Sequence, residues 1–319
     1  MAASGPTDLA AGVLAGDRRS VARAISIIEA GGPDAAVLTA AVHPASGHAY
    51  TLGVTGAPGA GKSTLTDRLL GELRTSGDTA GVLAIDPSSP FTGGAILGDR
   101  IRMESHSGDD GVFVRSMATR GHLGGLALAT PQAARVLDAA GFDWVVIETV
   151  GVGQIEVDIV GAADTTVVVL NPGWGDGVQA AKAGLMEIAD VFVVNKADRP
   201  GTADTVREIT SMLDLGAGAR ADGWRPPVVT TVATTGEGVE NAWAAIATHR
   251  AHLEAGVGLA ARREARLRDE IRRTVAAQLA ARADAYCTGE GFDAIVAEVT
   301  QRRLDPGRAA SDLLGRADR

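Results

Sequence analysis

The sequence predicts an α/β fold in which a mostly parallel sheet is covered by helices on both faces. Three observations carry this. Short β-branched apolar runs alternate with helical stretches from about Tyr50 to His252. The runs are apolar throughout rather than alternating, as strands buried on both faces are. A glycine-rich turn, Gly56 to Ser63, follows one such run and precedes a helical stretch, the strand-turn-helix order of a right-handed crossover.

In chain order, the stretch from Asp8 to about Ala45 places Leu14, Val21, Ile25 and Ile28 at helical spacing, then Gly31-Gly32-Pro33 and a second helical stretch, so it reads as a helical cap. Strands are expected at Thr51–Thr55, Ala80–Ile85, Trp144–Ile147, Thr165–Leu170, Val191–Val194 and Val228–Thr231, among others. From Leu259 onward the chain is Arg-rich and helical, with Leu267, Ile271, Val275 and Leu279 forming a stripe that needs a surface to pack on. This divides the chain into an N-terminal helical extension (1–48), a central nucleotide-binding domain (49–255) and a C-terminal helical arm (256–319).

The segment Gly56-Ala57-Pro58-Gly59-Ala60-Gly61-Lys62-Ser63 matches GxxxxGK[ST], the phosphate-binding loop, in its proper context. Glycines let main-chain N–H groups close around a β-phosphate at a helix N-terminus, Lys62 reaches the β and γ oxygens, and the Ser63 hydroxyl binds Mg²⁺. The nucleotide-binding stretch is therefore Ala57 to Gly61 with Lys62, Ser63 and Thr64. Base choice falls to Asn195-Lys196-Ala197-Asp198, directly after a predicted strand. The Asp198 carboxylate can accept from both the ring N–H and the exocyclic amine of guanine, and adenine has no matching donors, so GTP and GDP are favoured over adenine nucleotides.

Glu148-Thr149-Val150-Gly151 ends a predicted strand. Glu148 can hold Mg²⁺ through water, and the Gly151 N–H can sense a γ-phosphate, the behaviour of a switch. Asp86, and Asp99 with Arg100 in the stretch Gly93 to Met103, fit a further switch, with Asp99 as a magnesium-side or water-positioning carboxylate and Asp86 supporting it. The catalytic set is thus Lys62, Asp99 and Glu148. No strong general base is evident: Gln154 or Asp99 could orient water, and Arg100 or a partner could supply an arginine finger.

The combination GAPGAGKST, DPSSPFTGGAILGDRIRM, ETVGVGQ, NPGWGDGVQAAKAG and VNKAD resembles the MeaB/ArgK family of P-loop GTPases, over about residues 10 to 315. The resemblance implies a SIMIBI-type core with flanking helices and a homodimer formed through the C-terminal arm. It implies a GTP-hydrolysing chaperone that gates adenosylcobalamin loading of methylmalonyl-CoA mutase and protects or reactivates that enzyme. Relatives have also been described as arginine/ornithine transport ATPases or kinases, the alternative reading. By position it sets Ser63, Asp86, Asp99 and Glu148 around Mg²⁺, Asn195 and Asp198 on the base, and Val232-Ala233-Thr234 as the last base-side loop, with contact through the Ala233 N–H. Asn171 to Lys182 resembles the family's third switch, with Asp176, Gln179 and Lys182 at its polar positions and an unusual Trp174.

Other signals bound the function. The chain is 319 residues long with a net charge of −9, too acidic for a nucleic-acid partner to be expected. Cys287 is the single cysteine, so no intrachain disulfide or CxxC site exists, in keeping with a reducing cytoplasm. No apolar window reaches the roughly 18 residues of a membrane span, and no signal peptide is seen. His43, His48, His106, His122, His249 and His252 form no ligand pattern beyond the three-residue spacing of the last two, and read as surface residues. Arg262 to Arg273, interspersed with Glu264, Asp269 and Glu270, reads as a solvated helix face with i,i+4 ion pairs.

Overall fold

The computed structural model describes residues 5–86, 104–106, 108–118, 125–149, 162–173, 186–215, 223–256 and 258–317. The chain divides into two compact units, Met1–Arg266 and Leu267–Arg319.

In the first unit, helices α1 (Pro6–Leu14), α2 (Arg18–Ala30) and α3 (Pro33–Val42) precede the sheet. The predicted first helical stretch is thus two helices. Gly16, at φ +73°, breaks it, and Asp17 then caps α2 by accepting the Ser20 N–H at 2.9 Å. Leu14 falls on α1 and is half exposed, whereas Val21, Ile25 and Ile28 are buried on α2.

The sheet comprises β1 (Tyr50–Gly56), β2 (Ala80–Asp86), β3 (Val112–Ala118), β4 (Trp144–Thr149), β5 (Thr165–Leu170), β6 (Val191–Asn195) and β7 (Val228–Thr231). Their order is β3-β2-β4-β1-β5-β6-β7, every pairing parallel. Six strands coincide with predicted runs. The seventh, β3, is not among those runs, because Arg115 and Ser116 interrupt its apolar character. It is an edge strand tied to α2: Arg18 donates to the carbonyls of Val112 (2.7 Å) and Asp110 (3.1 Å), and Arg115 donates to Ser26 Oγ (2.9 Å).

Helices α4 (Lys62–Thr75), α5 (Gly125–Ala139), α6 (Thr202–Leu215) and α7 (Val239–Glu254) connect the strands or follow them. Period-two alternation splits strands such as β4 and β5 between two cores. On β4, Val145 and Ile147 face α1, α2, α3 and α5, and Trp144 and Val146 face α4 and α7. On β5, Val167 and Val169 share the α4/α7 core, and Val168 and Leu170 pack with Phe192 of β6 and Ile209 of α6. Leu65, Leu69, Leu70 and Leu73 of α4 are each 3% exposed or less. Burial of each contributes roughly 1.5–3 kcal/mol, which anchors the helix that starts at the phosphate-binding loop.

Helix α8 (Gly258–Tyr286) begins in the first unit. Its Arg262, Arg263 and Arg266 correct the expectation of a solvated face. Arg262 donates to both carboxylate oxygens of Asp190 (3.1 and 2.8 Å), Arg263 to both oxygens of Asp164 (3.2 and 2.8 Å), and Arg266 also to Asp164. Both carboxylates are fully buried at the starts of β5 and β6. His249 is likewise fully buried, 3.4 Å from Asp190 and hydrogen-bonded with Thr165 (2.8 Å), and Trp224 packs on its ring, so it is no surface histidine. A buried charge requires paired, hydrogen-bonded partners, and the chain supplies them from segments remote in sequence. Farther along α8, Arg273 and Asp269 do form the expected i,i+4 pair (2.8 Å).

In the second unit, α9 (Glu290–Thr300) and α10 (Pro306–Ala317) follow α8, with Ile295 and Ala309 buried. Asp305 accepts from the N–H groups of Gly307 and Arg308, starting α10. Leu267, Ile271, Val275 and Leu279 are 45 to 63% exposed in the single chain.

Candidate functional site

The carboxyl ends of β1, β4, β5 and β6 meet at the centre of the sheet, where open α/β folds bind their ligands. Register sets Val54 of β1 beside Glu148 of β4 and Gly56 of β1 beside Val169 of β5. A Cβ on Gly56 would lie 1.9 Å from the Val169 carbonyl oxygen, so the loop leaves β1 through a position that only glycine fills. Gly61 closes the loop at φ +91° and starts α4 without a side-chain cap. The first turn of α4 thus opens at the loop, the helix-end arrangement that attracts an anion.

Lys62 is 6% exposed, and its Nζ donates to the carbonyls of Gly56 (2.7 Å) and Ala57 (2.9 Å), holding the ammonium inside the loop. Pro58, Gly59, Ser63 and Thr64 are exposed on the same rim, with Ala60 buried beneath. The Ser63 hydroxyl donates to Glu148 Oε1, and Glu148 itself is buried at the end of β4. A hydroxyl and a carboxylate thus converge from the loop and from the neighbouring strand, a hard-oxygen pair that suits Mg²⁺. Among the described residues no group of three or more His, Cys, Asp or Glu side chains gathers elsewhere as a metal site.

The base-side motif is physically joined to this loop. Asn195, which the motif reading places on the base, has its amide engaged with protein: Nδ2 donates to the Ala60 carbonyl (2.8 Å), and Oδ1 accepts from Thr231 Oγ1 and from the Ala233 N–H, both at 3.0 Å. The Ala233 N–H expected at the base therefore meets Asn195 in this structure. Lys196, at φ +60°, extends Nζ to the Gly59 carbonyl (2.6 Å). Asp198 lies exposed in the turn after Asn195. Val232 and Ala233 are buried and Thr234 is exposed, with the Val232 N–H donating to the Glu237 carbonyl (2.9 Å).

Several sequence-predicted positions lie outside the described residues: Asp99, Arg100, Gly151, Gln154, Trp174, Asp176, Gln179 and Lys182, together with the side chain of Asp86. Sequence reading missed the linking role of Asn195 and the contacts of Arg68, which donates from α4 to the carbonyls of Ala233 (3.1 Å) and Thr234 (3.0 Å). Neither had a local signal, because the partners lie more than a hundred residues away in the chain.

The chain is similar to known proteins over most of its length. The family model for methylmalonyl Co-A mutase-associated GTPase MeaB matches residues 21–298. The chain belongs to the MeaB family of GTPases. Within reach of that family, it is 52% identical over 300 residues to a Pyrococcus abyssi protein described as a GTPase, an alignment covering 94% of this chain and 93% of the relative. It is 37% identical over 247 residues to the GTPase ArgK of Escherichia coli, covering 75% and 74%. It is 37% identical over 218 residues to the mouse mitochondrial methylmalonic aciduria type A homolog, covering 67% of this chain and 52% of that protein. A crystal structure of an LAO/AO transport system kinase superposes with a TM-score of 0.73 at 25% identity over 98% of each chain. This MeaB-family chain is accordingly a P-loop GTPase, as its motifs predict, and no helix among its described residues is long and apolar enough to cross a membrane.

The loop geometry of this MeaB-family protein makes a direct prediction at Gly61. A Cβ there would come 2.4 Å from Asn195 Nδ2, in a left-handed backbone conformation. Gly61→Ala is therefore expected to strain the loop by about 1–3 kcal/mol and to weaken GTP binding by displacing Asn195. Thermal unfolding and GTP titration check this together, and wild-type values in both would refute the assigned contact.

Proposed function

We propose that this GTPase serves as a guanine-nucleotide-driven chaperone of adenosylcobalamin-dependent methylmalonyl-CoA mutase, gating cofactor loading and protecting or reactivating that enzyme as a homodimer in the cytoplasm. The observation that carries the proposal is the match of residues 21–298 to a family described as mutase-associated. The mouse relative's name, methylmalonic aciduria type A homolog, points the same way.

In this reading the residues divide the work of hydrolysis. Phosphoryl transfer to water needs charge neutralisation and a placed nucleophile more than covalent chemistry. Lys62 exchanges the Gly56 and Ala57 carbonyls for β and γ oxygens, and the first N–H groups of α4 receive the β-phosphate. Ser63 and Glu148 would hold Mg²⁺, which when bound neutralises phosphate charge. Asp198 selects guanine, and Asn195 with Lys196 keeps the base-side turn in register with the phosphate loop. Asp86 and Asp99 on the metal side, Gly151 and Gln154 in the second switch, and Asp176, Gln179 and Lys182 in the third complete the proposed set. Turnover is slow alone and faster when the mutase orders the switches.

The test is calorimetric titration of GTP, GDP and ATP with and without the mutase, with turnover followed in parallel. Guanine-selective binding, altered by the mutase, is the expected result. A preference for ATP would favour the transport-kinase reading suggested by the matching crystal structure's description, and indifference to the mutase would remove the proposed client. Asp198→Asn should weaken GTP and improve xanthosine triphosphate, whose 2-carbonyl accepts from the new amide. Unchanged GTP affinity in that variant would take the base away from Asp198.

A further inference from the structure

We infer that Arg68 is a positioning residue for guanine recognition, holding the base-side loop 232–234 at a set distance from the phosphate loop. The inference rests on the reading of that loop as base-side.

Val232 and Ala233 carry no polar side-chain atoms, so these two can serve a base only through their main chain and their position. Main-chain groups are useful to a ligand only if the loop is fixed. Ala233 is fixed from both of its peptide groups. Its N–H is taken by Asn195 Oδ1 (3.0 Å), and Asn195 in turn donates to the Ala60 carbonyl of the phosphate loop (2.8 Å). Its carbonyl is taken by Arg68 Nε (3.1 Å), while Arg68 Nη2 takes the next carbonyl, that of Thr234 (3.0 Å). Arg68 stands on α4, the helix whose first residues are Lys62 and Ser63.

One restraint therefore originates in α4, which begins at the phosphate loop, and the other, from Asn195 at the end of β6, is tied to that loop through Ala60. The planar fork of an arginine suits two neighbouring carbonyls, and a lysine ammonium, a single point of charge on a flexible stem, does not reproduce that grip. A nucleotide spans both ends of the site, so the separation of its base pocket from its phosphate pocket must be held constant for the base to be read. Arg68 is itself exposed, so Arg68→Ala is expected to keep the fold.

The experiment compares wild type, Arg68→Ala and Arg68→Lys by titration with GTP, GDP and ATP, steady-state GTP turnover and thermal unfolding. Loss of charge-assisted hydrogen bonds to the loop is expected to weaken GTP and GDP about tenfold in Arg68→Ala. ATP affinity and the unfolding midpoint should stay unchanged, so the preference for GTP over ATP falls by the same factor. In turnover, KM rises with little change in kcat, and Arg68→Lys falls between the two. A guanine-selective wild type whose selectivity survives in Arg68→Ala overturns the inference while leaving the base-side reading in place. An equal loss of GTP and ATP also overturns it, since that pattern belongs to the phosphate end. A wild type with no preference for guanine removes the base-side reading and the inference with it.

Discussion

Replacing Lys62 by alanine is expected to abolish tight GTP binding. The Nζ of Lys62 lies inside the phosphate loop, 2.7 and 2.9 Å from the carbonyls of Gly56 and Ala57, on a side chain that is 6% exposed. In the proposed nucleotide complex that charge would be the loop's cation for the β and γ oxygens. Its removal forfeits charge-assisted hydrogen bonds in a site of low dielectric. In the nucleotide-free protein it also leaves the Gly56 and Ala57 carbonyls without this donor, which lowers stability rather than GTP affinity, by about 1–3 kcal/mol for a buried group left unsatisfied. A loss of at least about a hundredfold in GTP affinity, equivalent to ~2.7 kcal/mol, is the expected minimum. Calorimetry reads it directly, with thermal unfolding of the nucleotide-free variant to show that the fold persists. Binding within a few-fold of wild type would show that the assigned cation is not the one that matters.

The second large effect concerns stability. Asp164 is fully buried at the start of β5, where Arg263 and Arg266 bind its carboxylate and the Thr51 N–H donates to it at 2.9 Å. Asp164→Ala leaves two guanidinium groups facing a cavity with no counter-charge. Breaking a buried pair from one side costs about 3–5 kcal/mol, a large share of the stability of an ordinary domain. Denaturant unfolding of Asp164→Ala against Asp164→Asn separates the lost charge from the lost volume. A change below about 1 kcal/mol in both variants would show the network to be energetically idle.

The same carboxylate gives a pH dependence of stability. Burial by itself pushes the Asp164 carboxyl up. The Arg263 hydrogen bonds, the charges of Arg266 and Arg263 and the Thr51 N–H outweigh it, and the carboxyl lies below its ordinary value of 3.8. Because the folded-state value is the lower one, the unfolded chain binds the proton first as the pH falls. The contribution to stability is therefore complete above pH 3.8 and is lost as the pH drops through the folded-state value. Acid unfolding of the wild type should be steep in that range, and Asp164→Asn should flatten it. An acid transition of equal slope in both proteins would assign it to other carboxylates.

What the sequence by itself determined is everything carried by contiguous residues. The phosphate loop is legible because its glycines, Lys62 and Ser63 lie side by side between a strand and a helix. The central strands are legible because burial on both faces writes a continuous apolar run, and the family is legible because its motifs are equally local. The edge strand β3 was not, since an edge position tolerates Arg115 and Ser116 as long as α2 provides partners such as Ser26. Tertiary structure alone decided which remote groups meet. Three arginines of one helix read as a solvated face until the crossover order of the sheet brought Asp164 and Asp190 to them across 99 and 72 residues. His249 became a core residue by the same route, and Arg68 found the base-side loop across 165 residues. Periodicity reports which face of an element is buried, but the partner of a buried charge is set by the order in which the strands are laid down.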